Sequence, residues 1–131
     1  MKMMIRATAL AALLMAGGAA VLAADAPAIV RNELLHTDIA GGLEAILGRT
    51  TMAVGSDTGR HIHPGTELAT LAVGTVELTI DGQPPRTIKA GEAFTIPYKA
   101  VHHLRVIGDV PVVIMPTWII EKGQPLTIPV K

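Results

Sequence analysis

The chain has 131 residues, half of them apolar, with eleven acidic and eleven basic side chains and no cysteine. That is apolar material for one core and not for two, and the even charge offers no basic face for nucleic acid. Without cysteine there is neither a disulfide framework nor a site for a lipoprotein-type lipid anchor, so packing alone must hold the domain.

Lys2 and Arg6 precede an Ala/Leu/Met run that ends in small residues around Val21 to Ala24. This is the layout of a secretory signal, with cleavage expected after Ala23 or Ala24. The run is weakly hydrophobic and no basic stop-transfer cluster follows it, so residues 1–24 read as a removed signal peptide rather than a retained anchor. The expected product has no stable membrane span and is periplasmic or secreted. Loss of Lys2 and Arg6 from eleven basic residues, against eleven acidic ones, takes its formal charge to −2.

Residues 25–48 carry mixed charges and the Gly41-Gly42 pair, and read as an N-terminal arm that adds a strand to the outside of the domain, with His36 solvated. From Arg49 onward, over residues 49–131, the pattern is all-β. Short β-branched runs such as TTMAV, ELATLAV, TVELTI, AFTIP and VHHLRVI are separated by Gly, Pro and Asp, and helical periodicity is missing. In Thr75 to Ile80, the residues Val76, Leu78 and Ile80 alternate with Thr75, Glu77 and Thr79, the period of a half-buried strand. Asp81-Gly82 turns it. Many short strands at this spacing form a sandwich or a barrel, and periodicity does not choose between them.

The chemistry concentrates in Gly55 to Gly74, GSDTGRHIHPGTELATLAVG. On a strand His61 and His63 point to one face while Ile62 points away, and the turn at Pro64-Gly65 can return Glu67 beside them. Imidazole nitrogens with one carboxylate suit first-row divalent ions. His102, arriving from a separate strand after Pro97, completes four protein ligands and leaves positions open for water or substrate. Its neighbour His103 must then face outward, because adjacent strand residues alternate. Of the three aromatic residues, Phe94 and Trp118 read as core, as do Met52 and Met115, while Tyr98 sits in a turn able to rim a pocket.

These residues resemble the cupin superfamily. Its first motif, G-x5-H-x-H-x3or4-E-x6-G, is matched at every position by Gly55, His61, His63, Glu67 and Gly74. Its second, G-x5-P-x-G-x2-H-x3-N, is matched by Gly91, Pro97 and His102, with Lys99 in place of its second Gly and Val106 in place of its Asn. The resemblance runs from about Thr50 to Ile120 and implies a single-domain jelly-roll β-barrel, or double-stranded β-helix, behind the short arm. It also implies one divalent transition metal (iron, manganese, nickel, copper or zinc) on His61, His63, Glu67 and His102, and a homodimer made through the arm.

The expected function is a metal-dependent, dioxygenase-like enzyme acting on a small organic substrate, with Glu67 and Tyr98 as candidate catalytic groups. The alternatives are a non-catalytic periplasmic module that binds or senses a metal or metabolite, and a barrel in which the metal is only a structural staple.

Overall fold

A computed structural model describes residues 28–131; the expected signal peptide, its cleavage site and the first residues of the arm lie outside them. Ten strands are formed: β1 Ile29–Ile39, β2 Leu43–Met52, β3 His61–Ile62, β4 Gly65–Val73, β5 Thr75–Ile80, β6 Arg86–Lys89, β7 Ala93–Ile96, β8 His102–Val106, β9 Val112–Glu121 and β10 Ile128–Pro129. They pair into two five-stranded antiparallel sheets, β1-β2-β9-β4-β7 and β10-β3-β8-β5-β6. The described residues contain no helix, so none is long and apolar enough to cross a membrane.

The two sheets bury their facing sides. On β5, Val76, Leu78 and Ile80 are buried while Thr75, Glu77 and Thr79 are only partly so, as the alternation predicts. On β9, Val112, Ile114, Pro116, Trp118 and Ile120 point inward. Met115 does not join them: it is half-buried on the opposite face of β9, because the near-continuous apolar run hides an ordinary period of two. The inward side chains form a large cluster that includes Met52, Leu71, Leu78, Phe94, Val106 and Val112, and a small one of Ile46, Trp118 and Ile120 capped by Leu126. Burying each large aliphatic chain contributes about 1.5–3 kcal/mol before chain entropy is charged against it. Val106, where the cupin motif carries an Asn, belongs to the large cluster, so this interior position is apolar here.

Residues 29–48 are an integral part of the first sheet. Strands β1 and β2 form a hairpin about Gly41 and Gly42, whose φ values of 82° and 73° are those that glycine adopts without strain. Strand β2 then runs between β1 and β9, so the boundary expected at residue 49 falls inside a strand. Its inward positions are Glu44, Ile46, Gly48, Thr50 and Met52; a polar or small residue at three of the five masks the alternation. His36, expected to be solvated, is half-exposed and lies 3.0 Å from the Glu44 carboxylate.

Two close approaches set the geometry near the histidines. A Cβ at Gly65 would stand 2.0 Å from the Ile119 carbonyl oxygen, so only glycine lets β4 lie this close to β9 at the turn that returns Glu67. A Cβ at Gly48 would stand 2.7 Å from the Trp118 ring, so this glycine makes room for the indole.

Lys99 occupies the position that the cupin motif gives to glycine, and among the described residues it is the non-glycine with positive φ, at 54°. Its amide donates to the Gly65 carbonyl at 2.9 Å, and its ammonium pairs with Glu121 at 2.7 Å. The left-handed conformation costs a residue with a Cβ roughly 1–2 kcal/mol, more than an exposed ion pair returns. Lys99→Gly should therefore stabilise the protein by about 1 kcal/mol, read as a higher midpoint in urea unfolding; a lower midpoint would show that the Glu121 pair outweighs the strain.

Candidate metal centre

Four strands and one turn deliver the site. His61 on β3 pairs directly with His102 on β8 in one sheet, and Glu67 on β4 pairs with Trp118 on β9 in the other. His63 sits between β3 and β4, where the chain passes from one sheet to the other. All four expected ligands are almost fully buried. The cavity they enclose, about 20 Å³, lies where the two apolar clusters meet, with Met52 and Ile114 on one side and Trp118 on the other.

The three imidazoles are oriented by the backbone. Nδ1 of His61 lies 2.8 Å from the Gly59 carbonyl oxygen, Nδ1 of His63 lies 2.7 Å from that of Leu126, and Nδ1 of His102 lies 2.9 Å from that of Ala100. A carbonyl only accepts, so each Nδ1 carries the proton and donates it, which leaves the Nε2 lone pairs for the interior. One ring nitrogen from each of the three lies within 4.8 Å of the others. The buried Nε2 of His102 has no hydrogen-bond partner.

Converging lone pairs with no donor among them are unfavourable in a buried site unless a cation meets them. Carbonyl-anchored histidines are the arrangement that presents neutral nitrogen ligands to a metal. The residues present therefore fit a divalent transition ion.

Glu67 adds the carboxylate. Its Oε2 is 2.9 Å from Nε2 of His63 and 4.0 Å from Nε2 of His102. With Nδ1 of His63 committed to Leu126, two acceptors meet at the shorter contact unless a proton or a cation lies between them. The same Oε2 accepts a hydrogen bond of 3.0 Å from Trp118 Nε1. The tryptophan expected to be core is buried in the small cluster and also holds the carboxylate in place. The Leu126 carbonyl was not legible in the sequence at all, since any residue supplies one. A buried Trp opposite a buried Glu is a signal that needs the strand register to be read.

The remaining candidates stand apart from the cavity. Tyr98 is 58% exposed and its hydroxyl donates to Glu121. His103 faces the other side of β8, with Nδ1 3.1 Å from Asp57.

Burial holds the His61 imidazole below its ordinary value, and holds that of His102 down to about 4. In the unfolded chain both return towards 6.5. For His102 the unfolded state binds more protons between those limits, so the stability its neutral ring allows is complete above about pH 6.5 and is lost as pH falls through about 4, and the lowered His61 acts in the same sense. His36, raised mainly by its hydrogen bond to Glu44, works in the opposite sense on an exposed strand. Metal-free protein should lose stability steeply from pH 6.5 to 4, and His102→Gln should flatten that profile; equal slopes for both proteins would contradict the assignment.

Removing an outer hydrogen bond of this kind typically costs 10–100-fold in metal affinity. Trp118→Phe, which keeps the ring in the core, should weaken metal binding by about 10-fold or more in competition with a chromophoric chelator. An unchanged affinity would reduce Trp118 to packing.

The comparisons with known proteins agree with this geometry. The family model of the cupin domain matches residues 48–120, more than half of the chain. The uncharacterised protein MJ1618 of Methanocaldococcus jannaschii is 34% identical over 85 residues, covering 64% of this chain and 67% of that one. Among solved structures, a cupin-like protein of Thermotoga maritima superposes with a TM-score of 0.65 at 22% identity, over 78% of this chain and 75% of the other. Oxalate oxidase in complex with the substrate analogue glycolate superposes with a TM-score of 0.62 at 23% identity, over 77% of this chain and 54% of its own, so the chain spans about half the length of that enzyme. With the inward-facing histidines on a two-sheet jelly roll and the family match over the same residues, this chain belongs to the cupin family.

Proposed function

We propose that the chain is an exported cupin that binds one divalent transition metal through His61, His63, Glu67 and His102 and acts as an oxygenase on a small organic substrate. The observation that carries the metal reading is the convergence of three carbonyl-anchored imidazoles, with Nε2 of His102 buried and unpartnered. A bound ion would supply Lewis acidity and, where it is iron, manganese, nickel or copper, a redox centre for dioxygen. The protein contributes neutral ligands, a dry wall of Met52, Leu104 and Ile114, and a carboxylate held at Oε2 by Trp118. Glu67 is the group placed to take or return a proton beside the reacting atoms. The likeness to oxalate oxidase supports an oxidative reading by analogy of fold.

Export rests on the leader-like residues 1–24, and we place the mature protein in the periplasm or outside the cell. We also propose a homodimer. Val30, Leu34, Leu35 and Ile39 on the edge strand β1 are all exposed, and an open edge of this length is a ready site for a second copy.

A non-catalytic binding or sensing module is the second reading. A cavity of about 20 Å³ favours it, because that space takes an ion or a single water and leaves no room for two reactants beside the ion.

The first experiment measures metal per chain by elemental mass spectrometry in protein from its native compartment, beside His61→Ala and His103→Ala. Near-stoichiometric metal, lost in His61→Ala and kept in His103→Ala, is expected; the reverse pattern would overturn the ligand assignment. Dioxygen uptake in a screen of small organic substrates then separates the readings, with consumption favouring the oxygenase and binding without turnover favouring the module.

A further inference from the structure

The cavity has one charged side chain at its rim that is not a ligand candidate. Arg31 on β1 pairs in register with the buried Thr50 on β2, and both line the cavity with the three histidines and Glu67. Arg31 is exposed and, like Arg49 and Arg86, forms no ion pair among the described residues, whereas Arg60 and Arg105 each pair with a carboxylate. It also lies outside residues 48–120 that match the family, on a strand contributed by the N-terminal hairpin.

The electrostatic consequence follows from counting the groups that face the cavity. A divalent ion with one carboxylate and three neutral imidazoles keeps a net positive charge, and Arg31 adds another at the cavity lining with no acidic partner among the described residues. In a site walled by apolar side chains these charges favour an anion over a neutral molecule of the same shape. A guanidinium presents a planar fork of donors that matches a carboxylate with two parallel hydrogen bonds. The cavity of about 20 Å³ has room for an ion or a single water, so the body of an entering molecule stays at the rim.

We infer that Arg31 is the specificity-determining residue of the site and selects a small carboxylate, whose anionic group it holds at the rim while a neighbouring oxygen reaches the metal. This inference rests on the metal reading above and names the class of molecule that site takes. The N-terminal hairpin thereby becomes part of the binding site, and a substrate carrying the same oxygen atoms without the charge is rejected.

The test uses the metal-loaded protein and isothermal titration calorimetry with glycolate and with glycolamide, which differ in charge and hardly in shape. Wild-type protein is expected to bind glycolate at least about 10-fold more tightly than glycolamide. Arg31→Gln should lose about 10-fold or more of the glycolate affinity and none of the glycolamide affinity, with unchanged metal content, and Arg31→Lys should recover part of the loss. Equal affinities in wild type and Arg31→Gln, or no preference for glycolate in wild type, would overturn the inference. Failure to take up added metal, with glycolate binding that still depends on Arg31, would support the anion site while removing the metal reading, so the two fail separately.

Discussion

The three hydrogen bonds from imidazole Nδ1 to backbone carbonyls organise this molecule. Each fixes a ring and its tautomer at once, because a carbonyl oxygen accepts a proton and never offers one. Gly59 orients His61 from the loop before β3, Ala100 orients His102 from the turn before β8, and Leu126 orients His63 from the C-terminal segment. The sheets exist apart from these bonds, but the site does not: with any ring turned about, its lone pair would face the backbone and its N–H the other imidazoles. Burial costs the charged form of two of these rings enough to keep them neutral, which is the state a metal ligand requires.

The fold serves that arrangement through close packing between strands. Gly65 lets β4 lie against β9, which brings Glu67 opposite Trp118; Gly48 leaves the space that the indole fills. The indole then joins two functions, closing the small apolar cluster and holding the Glu67 carboxylate. The C-terminal segment is tied to the same centre, since β10 pairs with β3 and the chain just before it supplies the Leu126 carbonyl. The first sheet, with its long exposed edge β1, carries Arg31 to the rim from the opposite direction.

Much of this was legible in the residues. The spacing of His61 and His63 put two imidazoles on one face with the turn at Pro64-Gly65 returning Glu67 beside them, and the alternation in Thr75 to Ile80 gave a strand with one buried side. Alternation on β8 lets only one of His102 and His103 face inward, and the spacing from Pro97 in the cupin motif picks His102; the structure buries it, while His103 pairs with Asp57. What stayed hidden did so for physical reasons. Strand β2 mixes Glu44, Gly48 and Thr50 into its inward positions, so hydrophobic period is weak where the strand is most central. Met115 sits in an apolar run that does not distinguish its two faces. Backbone acceptors leave no mark on residue type, and the contacts of Trp118 and Arg31 depend on the pairing of strands far apart in the chain.

The central claim is that the backbone presents three Nε2 atoms to one cation, and long-range proton–nitrogen NMR of the imidazoles in zinc-titrated protein tests it most directly. His61, His63 and His102 should each keep a proton on Nδ1 while Nε2 takes a metal-shifted resonance at one equivalent of zinc. Ligation through Nδ1, or a shift confined to fewer than these three rings, would contradict it.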